Sequence, residues 1–122
     1  MKNFKELLVW QKSIDFVTIV YKVTDSFPDT ENFGLKSQLR RASISIPSNI
    51  SEGCARRSKT DFIQYLKIAR GSAAEVETQI IIISHNLKFI NQEIYFELSE
   101  LIVEISKMLN GLINSLVQST EN

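Results

Sequence analysis

A chain of 122 residues that is 43% hydrophobic and 23% charged, with four glycines, two prolines and one cysteine, has the composition of one globular domain spanning residues 1–122. Disordered, fibrous and disulfide-rich classes are excluded. Its 14 basic and 14 acidic residues cancel overall, yet residues 31–70 carry eight basic against three acidic and residues 71–122 two against seven. That split marks either an anion-binding surface or complementarity between neighbouring helices or subunits.

Apolar residues recur at helical spacing throughout, and no run alternates with the period of two that a half-buried strand needs, so the expected class is all-α with four helices. The first runs over about residues 4–26 and carries two stripes, Leu7, Trp10, Ile14, Val17 and Tyr21 on one side and Phe16, Val20, Val23 and Phe27 on the other. Two buried faces follow from this pattern. Phe27-Pro28-Asp29 and Gly34 punctuate the link to a second helix with Leu35, Leu39, Ala42, Ile46, Ile50 and Cys54 as its core stripe. Pro47 lies inside that helix, where proline costs about 3 kcal/mol, among Ser43, Ser45, Ser48 and Asn49, whose side chains reach backbone groups locally. Asn49 with Glu52 reads as a capping box at which the helix restarts after the proline.

The third helix starts at a capping box of Ser58 and Asp61, and its seam steps through Phe62, Leu66, Ala69, Ala73, Val76, Ile80, Ile83, Leu87 and Ile90, extending the helix to about Phe89. Gly71 in its middle implies close helix packing, because glycine costs about 1 kcal/mol there relative to alanine. Asn91 caps a fourth helix with the seam Ile94, Leu98, Leu101, Ile105, Met108, Leu112 and Leu116. Short links between long helices favour an up-down-up-down antiparallel four-helix bundle. One end of that bundle would collect Lys2, Lys5, Arg56, Arg57 and Lys59, and the other Asp25, Asp29, Glu31 and Glu93.

Uncharged stretches such as 78–87 and 108–120 fall well short of the roughly 20 apolar residues of a membrane span. No secretory signal opens the chain and Cys54 is unpaired, so a cytoplasmic protein is expected. His85 with Cys54 is too little for zinc, no Glu-x-x-His pair supplies a di-iron site, and neither a phosphate-binding glycine loop nor a nucleophile motif occurs. The expectation is therefore no enzyme, no metal and no cofactor. Arg40, Arg41, Arg56, Arg57 and Lys59 are the candidates for nucleic-acid binding, since guanidinium forks match phosphate bidentately. The competing use of the arginines is salt bridging to Glu52, Glu75 and Glu77. Ile44, Pro47, Ser51 and Ala55 form a second small, mostly apolar face of the second helix that a lone bundle would leave wet, which makes them candidates for an oligomer interface.

Six stretches carry a family resemblance: Leu8-Val9-Trp10-Gln11-Lys12, Phe27-Pro28, Phe33-Gly34-Leu35, residues 38–42, residues 45–53 around Ser-Ile-Pro-Ser-Asn-Ile-Ser-Glu-Gly, and residues 69–79. In these the chain resembles the bacterial four-helix bundle proteins encoded by intervening sequences within large-subunit (23S) ribosomal RNA genes, with Ser51 where that pattern often has alanine. The resemblance implies a four-helix bundle assembling into a homopentameric ring. It also implies kinship in fold with the accessory proteins of diversity-generating retroelements, which bind a reverse transcriptase and nucleic acid. The expected function is a ring-forming scaffold that binds structured RNA or DNA. A pure protein-interaction scaffold, with the arginines in subunit salt bridges, is the alternative.

Overall fold

A computed structural model describes residues 3–121, which form helices and their links, with no strand. A 3₁₀ turn at Phe4–Glu6 leads into α1 (Leu8–Thr24), a second at Asp29–Glu31 into α2 (Leu35–Cys54), and α3 (Lys59–Ile81) runs on into a π-helical turn at Ile82–Asn86 before α4 (Gln92–Glu121). Each helix packs on the next along the chain, and α1 packs on α4. Buried side chains from all four helices join in one core, and no helix is long and apolar enough to cross a membrane among the described residues.

Of the stripe expected on α1, Phe16 and Val20 are buried, Val23 is partly buried, and Phe27, just past the helix, is buried; Val9, Ser13 and Thr24 are buried with them. The hydroxyls tolerate burial because Ser13 Oγ donates to the Trp10 carbonyl and Thr24 Oγ1 to the Val20 carbonyl, both at 2.8 Å. The other stripe is only half covered, with Ile14 and Tyr21 each 38% exposed, so α1 buries one face fully and not the two expected.

Leu39, Ala42, Ile46 and Ile50 of the α2 stripe are buried as their spacing required, while its two ends, Leu35 and Cys54, are partly buried. The helix does not restart after Pro47 but runs unbroken through it. Asn49, read from sequence as a cap, donates its amide back to Ser45, to the carbonyl at 2.8 Å and the hydroxyl at 2.9 Å. Pro47 itself is buried within the single chain, which corrects its assignment to a face left wet. It lines a groove with Phe4, Trp10, Ile14 and Val17, apolar side chains that precede it by some 30 residues or more.

Ser58 caps α3 by accepting the Asp61 amide at 3.0 Å, and the seam is buried from Phe62 through Ile83. Helix α3 does not reach Phe89. The π turn ends at Asn86, Leu87 is 43% exposed, and Lys88 takes a left-handed φ of 58°. A π turn adds a residue to the local repeat, which rotates Leu87 off the seam; Lys88 then reverses the chain where glycine usually would. Gly71 lies exposed, and a Cβ placed on it would meet nothing within 4 Å, so it does not serve close packing within the chain. Close approach of α2 and α3 occurs instead at Gly53 and at Ser45, whose hydroxyl lies 2.8 Å from that of Ser72.

Asn91 Oδ1 accepts the Ile94 amide at 2.8 Å and starts α4. Its buried line is Leu98, Ile102, Ile105, Leu109 and Ile113, while Ile94, Leu101, Met108, Leu112 and Leu116 are only partly covered. Leu98 and Ile105 of the expected seam are buried, but the line between and beyond them runs through Ile102 and Leu109 and leaves Leu101 and Met108 at the edge of the buried face.

Candidate nucleic-acid interface

Where α2 ends and α3 begins, Cys54, Arg56, Arg57, Lys59, Phe62 and Leu116 line a cleft of about 210 Å³. Three cations meet here at the amino terminus of a 23-residue helix, whose dipole favours an anion and whose first turn already carries the Asp61 carboxylate, with the Asp61 amide capped by Ser58. The Arg56 guanidinium donates to the Tyr65 hydroxyl at 2.6 Å and lies 5.0 Å from the centre of that ring. Lys59 Nζ donates to Ser119 Oγ at 2.7 Å, which ties α3 to the end of α4. Arg57 is exposed and makes no hydrogen bond or ion pair among the described residues. Burial pushes the Cys54 thiol up from its ordinary value, so at neutral pH it is a protonated, half-covered part of the cleft wall and not a nucleophile. Lys5, expected at this end, is exposed, and Lys2 lies outside the described residues.

Arg40 and Arg41 do not belong to this cleft. They precede Arg56 and Arg57 by 16 residues, and the helical run from Arg40 to the end of α2 at Cys54 alone spans about 20 Å at 1.5 Å per residue. Arg40 is held against α1: its Nε donates to Thr24 Oγ1 at 2.8 Å, its Nη2 to the Tyr21 carbonyl at 3.1 Å and to Asp25 at 3.2 Å, and its plane lies 4.2 Å from the Tyr21 ring centre. Arg41 is exposed. The five basic candidates thus form two separate surfaces.

Neither surface uses the acids weighed as its partners. Among the described residues the ion pairs are Lys12–Glu104 at 2.9 Å and Arg40–Asp25 at 3.2 Å, and Glu52, Glu75 and Glu77 take part in neither. Glu75 accepts from the Gln79 amide at 3.2 Å on its own helix. Of the four interface candidates, Ile44 and Ala55 are exposed and Ser51 is half-buried, its hydroxyl donating to the Ser48 carbonyl at 3.0 Å. Tyr65 and Ser119, which position Arg56 and Lys59, were not legible as site residues, because each contact joins residues whose proximity only the fold creates.

Residues 5–111 match the family model described as 23S rRNA-intervening sequence protein. Among solved structures, the chain is similar to a protein of unknown function from the S23 ribosomal protein family of Bacteroides thetaiotaomicron, with 30% identity and a TM-score of 0.79 over 87% of this chain and 98% of that one. No curated protein sequence matches it.

Proposed function

The chain belongs to the 23S rRNA-intervening sequence protein family, and we propose that it acts as a non-enzymatic cytoplasmic scaffold that binds structured RNA through Arg56, Arg57 and Lys59. The observation that carries this reading is the cleft at the start of α3, where three cations and a helix amino terminus meet with no carboxylate in ion-pair reach among the described residues. An antiparallel course of the helices is supported by contacts that run in opposite senses, Lys59 with Ser119 and Arg70 with Asn110 between α3 and α4. Assembly into a homopentameric ring rests on the family resemblance and on the exposed Ala55 of α2; Ile44, the other exposed interface candidate, borders a cleft on the far part of α2 and is not assigned to the ring. A ring sets every basic cleft on one side, which multiplies a weak patch.

Light scattering at micromolar concentration is expected to give a multiple of the 13.9 kDa chain mass; a single chain mass would reject the ring. Titration of structured RNA at about 50 mM salt is expected to show binding whose logarithm falls with log salt by about 0.9 per phosphate contact on duplex and about 0.7 on single strands. Arg56→Ala with Arg57→Ala should flatten that slope and weaken binding alike across sequences, since phosphate contacts carry no base information. Absence of binding, or binding indifferent to salt and to these changes, would leave the protein-interaction scaffold as the reading, with the arginines paired to acids of another subunit.

A further inference from the structure

A second cleft, of about 400 Å³, opens between the last turns of α1 and the first turns of α2, and the RNA reading above makes no use of it. Lys36, Ser37, Arg40, Arg41 and Ile44 stand at i, i+1, i+4, i+5 and i+8 on α2, a spacing that gathers them on one side of a helix, and Tyr21 of α1 closes the opposite wall. No carboxylate lines the cleft; at its edges Asp25 is engaged by Arg40 and Glu31 accepts the Leu35 amide at 3.2 Å, so three cations stand beside two acids that already have partners.

Arg40 makes the most contacts of the three. Its Nε and Nη2 are committed to Thr24, Tyr21 and Asp25, and Nη1 keeps two N–H donors with no hydrogen-bond partner among the described residues. A donor pair on a side chain already held by three acceptors and an aromatic ring binds an anion with little further loss of freedom. The Arg41 side chain has no hydrogen bond or ion pair among the described residues, and the Lys36 ammonium reaches only Asn32 Oδ1, at 3.5 Å. Against these cations stand the apolar side chain of Ile44, 40% exposed, and the exposed part of the Tyr21 ring. Such a cleft falls in the roughly 300–1,000 Å³ range of small-molecule sites, more than a bare phosphate fills.

We propose that this cleft binds a nucleoside monophosphate, with the phosphate on Arg41, Lys36 and the Nη1 of Arg40, and the planar base along Ile44 and Tyr21. The site does not depend on RNA binding at the start of α3. A free nucleotide and the 5′-phosphorylated end of an RNA present the same group.

Calorimetric titration of the intact chain at low salt with AMP, ribose 5-phosphate and inorganic phosphate tests it. AMP is expected to saturate one site per chain, with the two probes that lack a base weaker by about tenfold. Lys36→Gln with Arg41→Gln should weaken AMP by about tenfold or more while far-ultraviolet circular dichroism stays helical, because two charge-assisted contacts are lost. Ser37→Asp, which sets a carboxylate in the first turn of α2 where the helix dipole favours it, should abolish AMP binding without unfolding the chain. Arg56→Ala with Arg57→Ala should leave AMP binding unchanged. Displacement of AMP by a 5′-phosphorylated oligonucleotide and not by its 5′-hydroxyl form assigns the site to RNA ends, and displacement by neither assigns it to free nucleotides. The proposal is overturned if the folded chain shows no saturable AMP binding at millimolar concentration, or if inorganic phosphate binds as well as AMP. It is equally overturned if the α2 variants bind like the parent, or if binding disappears with Arg56 and Arg57.

Discussion

Gly53→Ala is the sharpest test of how α2 meets α3. The added Cβ would stand 2.8 Å from the Tyr65 Cβ, 2.9 Å from the Phe62 Cδ1 and 3.4 Å from the Phe62 carbonyl oxygen. Tyr65 Cβ is fixed to the α3 backbone and the Phe62 ring is 2% exposed, so neither contact is relieved by swinging a flexible side chain. The two helices must separate. Alanine gains about 1 kcal/mol of helix propensity over glycine, while overpacking costs about 1–3 kcal/mol. A backbone-fixed clash belongs to the upper part of that range, which leaves a net loss of about 1–2 kcal/mol. Gly71→Ala is the matched control: nothing lies within 4 Å of its added Cβ, so the propensity term stands alone and about 1 kcal/mol is gained. The same chemical change thus moves the two variants in opposite directions, about 2–3 kcal/mol apart. Urea unfolding followed by circular dichroism measures this through the midpoint, given an unchanged m value. A Gly53→Ala variant as stable as the parent refutes the close approach. A destabilised Gly71→Ala variant would place Gly71 in contact with another copy.

Five further outcomes rest on other residues. Ser58→Ala removes the acceptor of the Asp61 amide and should cost about 1 kcal/mol in urea unfolding. Arg40→Ala removes the tie from α2 to Thr24, Tyr21 and Asp25, of which the exposed Asp25 contributes least, and should cost about 1–2 kcal/mol without changing the salt slope of RNA binding. Lys88→Gly relieves a left-handed residue and should raise the melting point, with a gain of up to about 1 kcal/mol. Alkylation of Cys54 by iodoacetamide should require a higher pH than an ordinary thiol, about 8.5, because burial favours the protonated form. The same shift makes the thiol's contribution to stability complete below the unfolded-state value and progressively lost as pH rises from there through the folded-state value, which melts at pH 7 and pH 10 would register.

Whatever depends on residues within one or two turns of each other was legible before any coordinates. Ser58 and Asn91 announce two helix starts by side chains that reach amides three residues on. The α2 stripe and the α3 seam as far as Ile83 follow from periodicity alone, because a helix that buries one face needs apolar residues every three or four positions. The π turn carries no such signature: Asn86, Leu87 and Lys88 include neither glycine nor proline, so the seam seemed to continue through a residue that is exposed. In α4 nearly every position inward of the polar side is apolar, and only the angle at which neighbouring helices arrive selects Ile102 and Leu109 over Leu101 and Met108. Pro47 is covered by Phe4, Trp10, Ile14 and Val17, which lie far from it in sequence, so its burial is not visible in the spacing of α2. The arginines show it most plainly. A sequence displays their charge and spacing along α2, but Arg40 is committed by Tyr21, Thr24 and Asp25 on another helix, and Lys59 is met by Ser119 sixty residues away. Guanidinium and ammonium groups interact over a few ångströms, and which acceptors come that close is decided by long-range packing that no local spacing encodes.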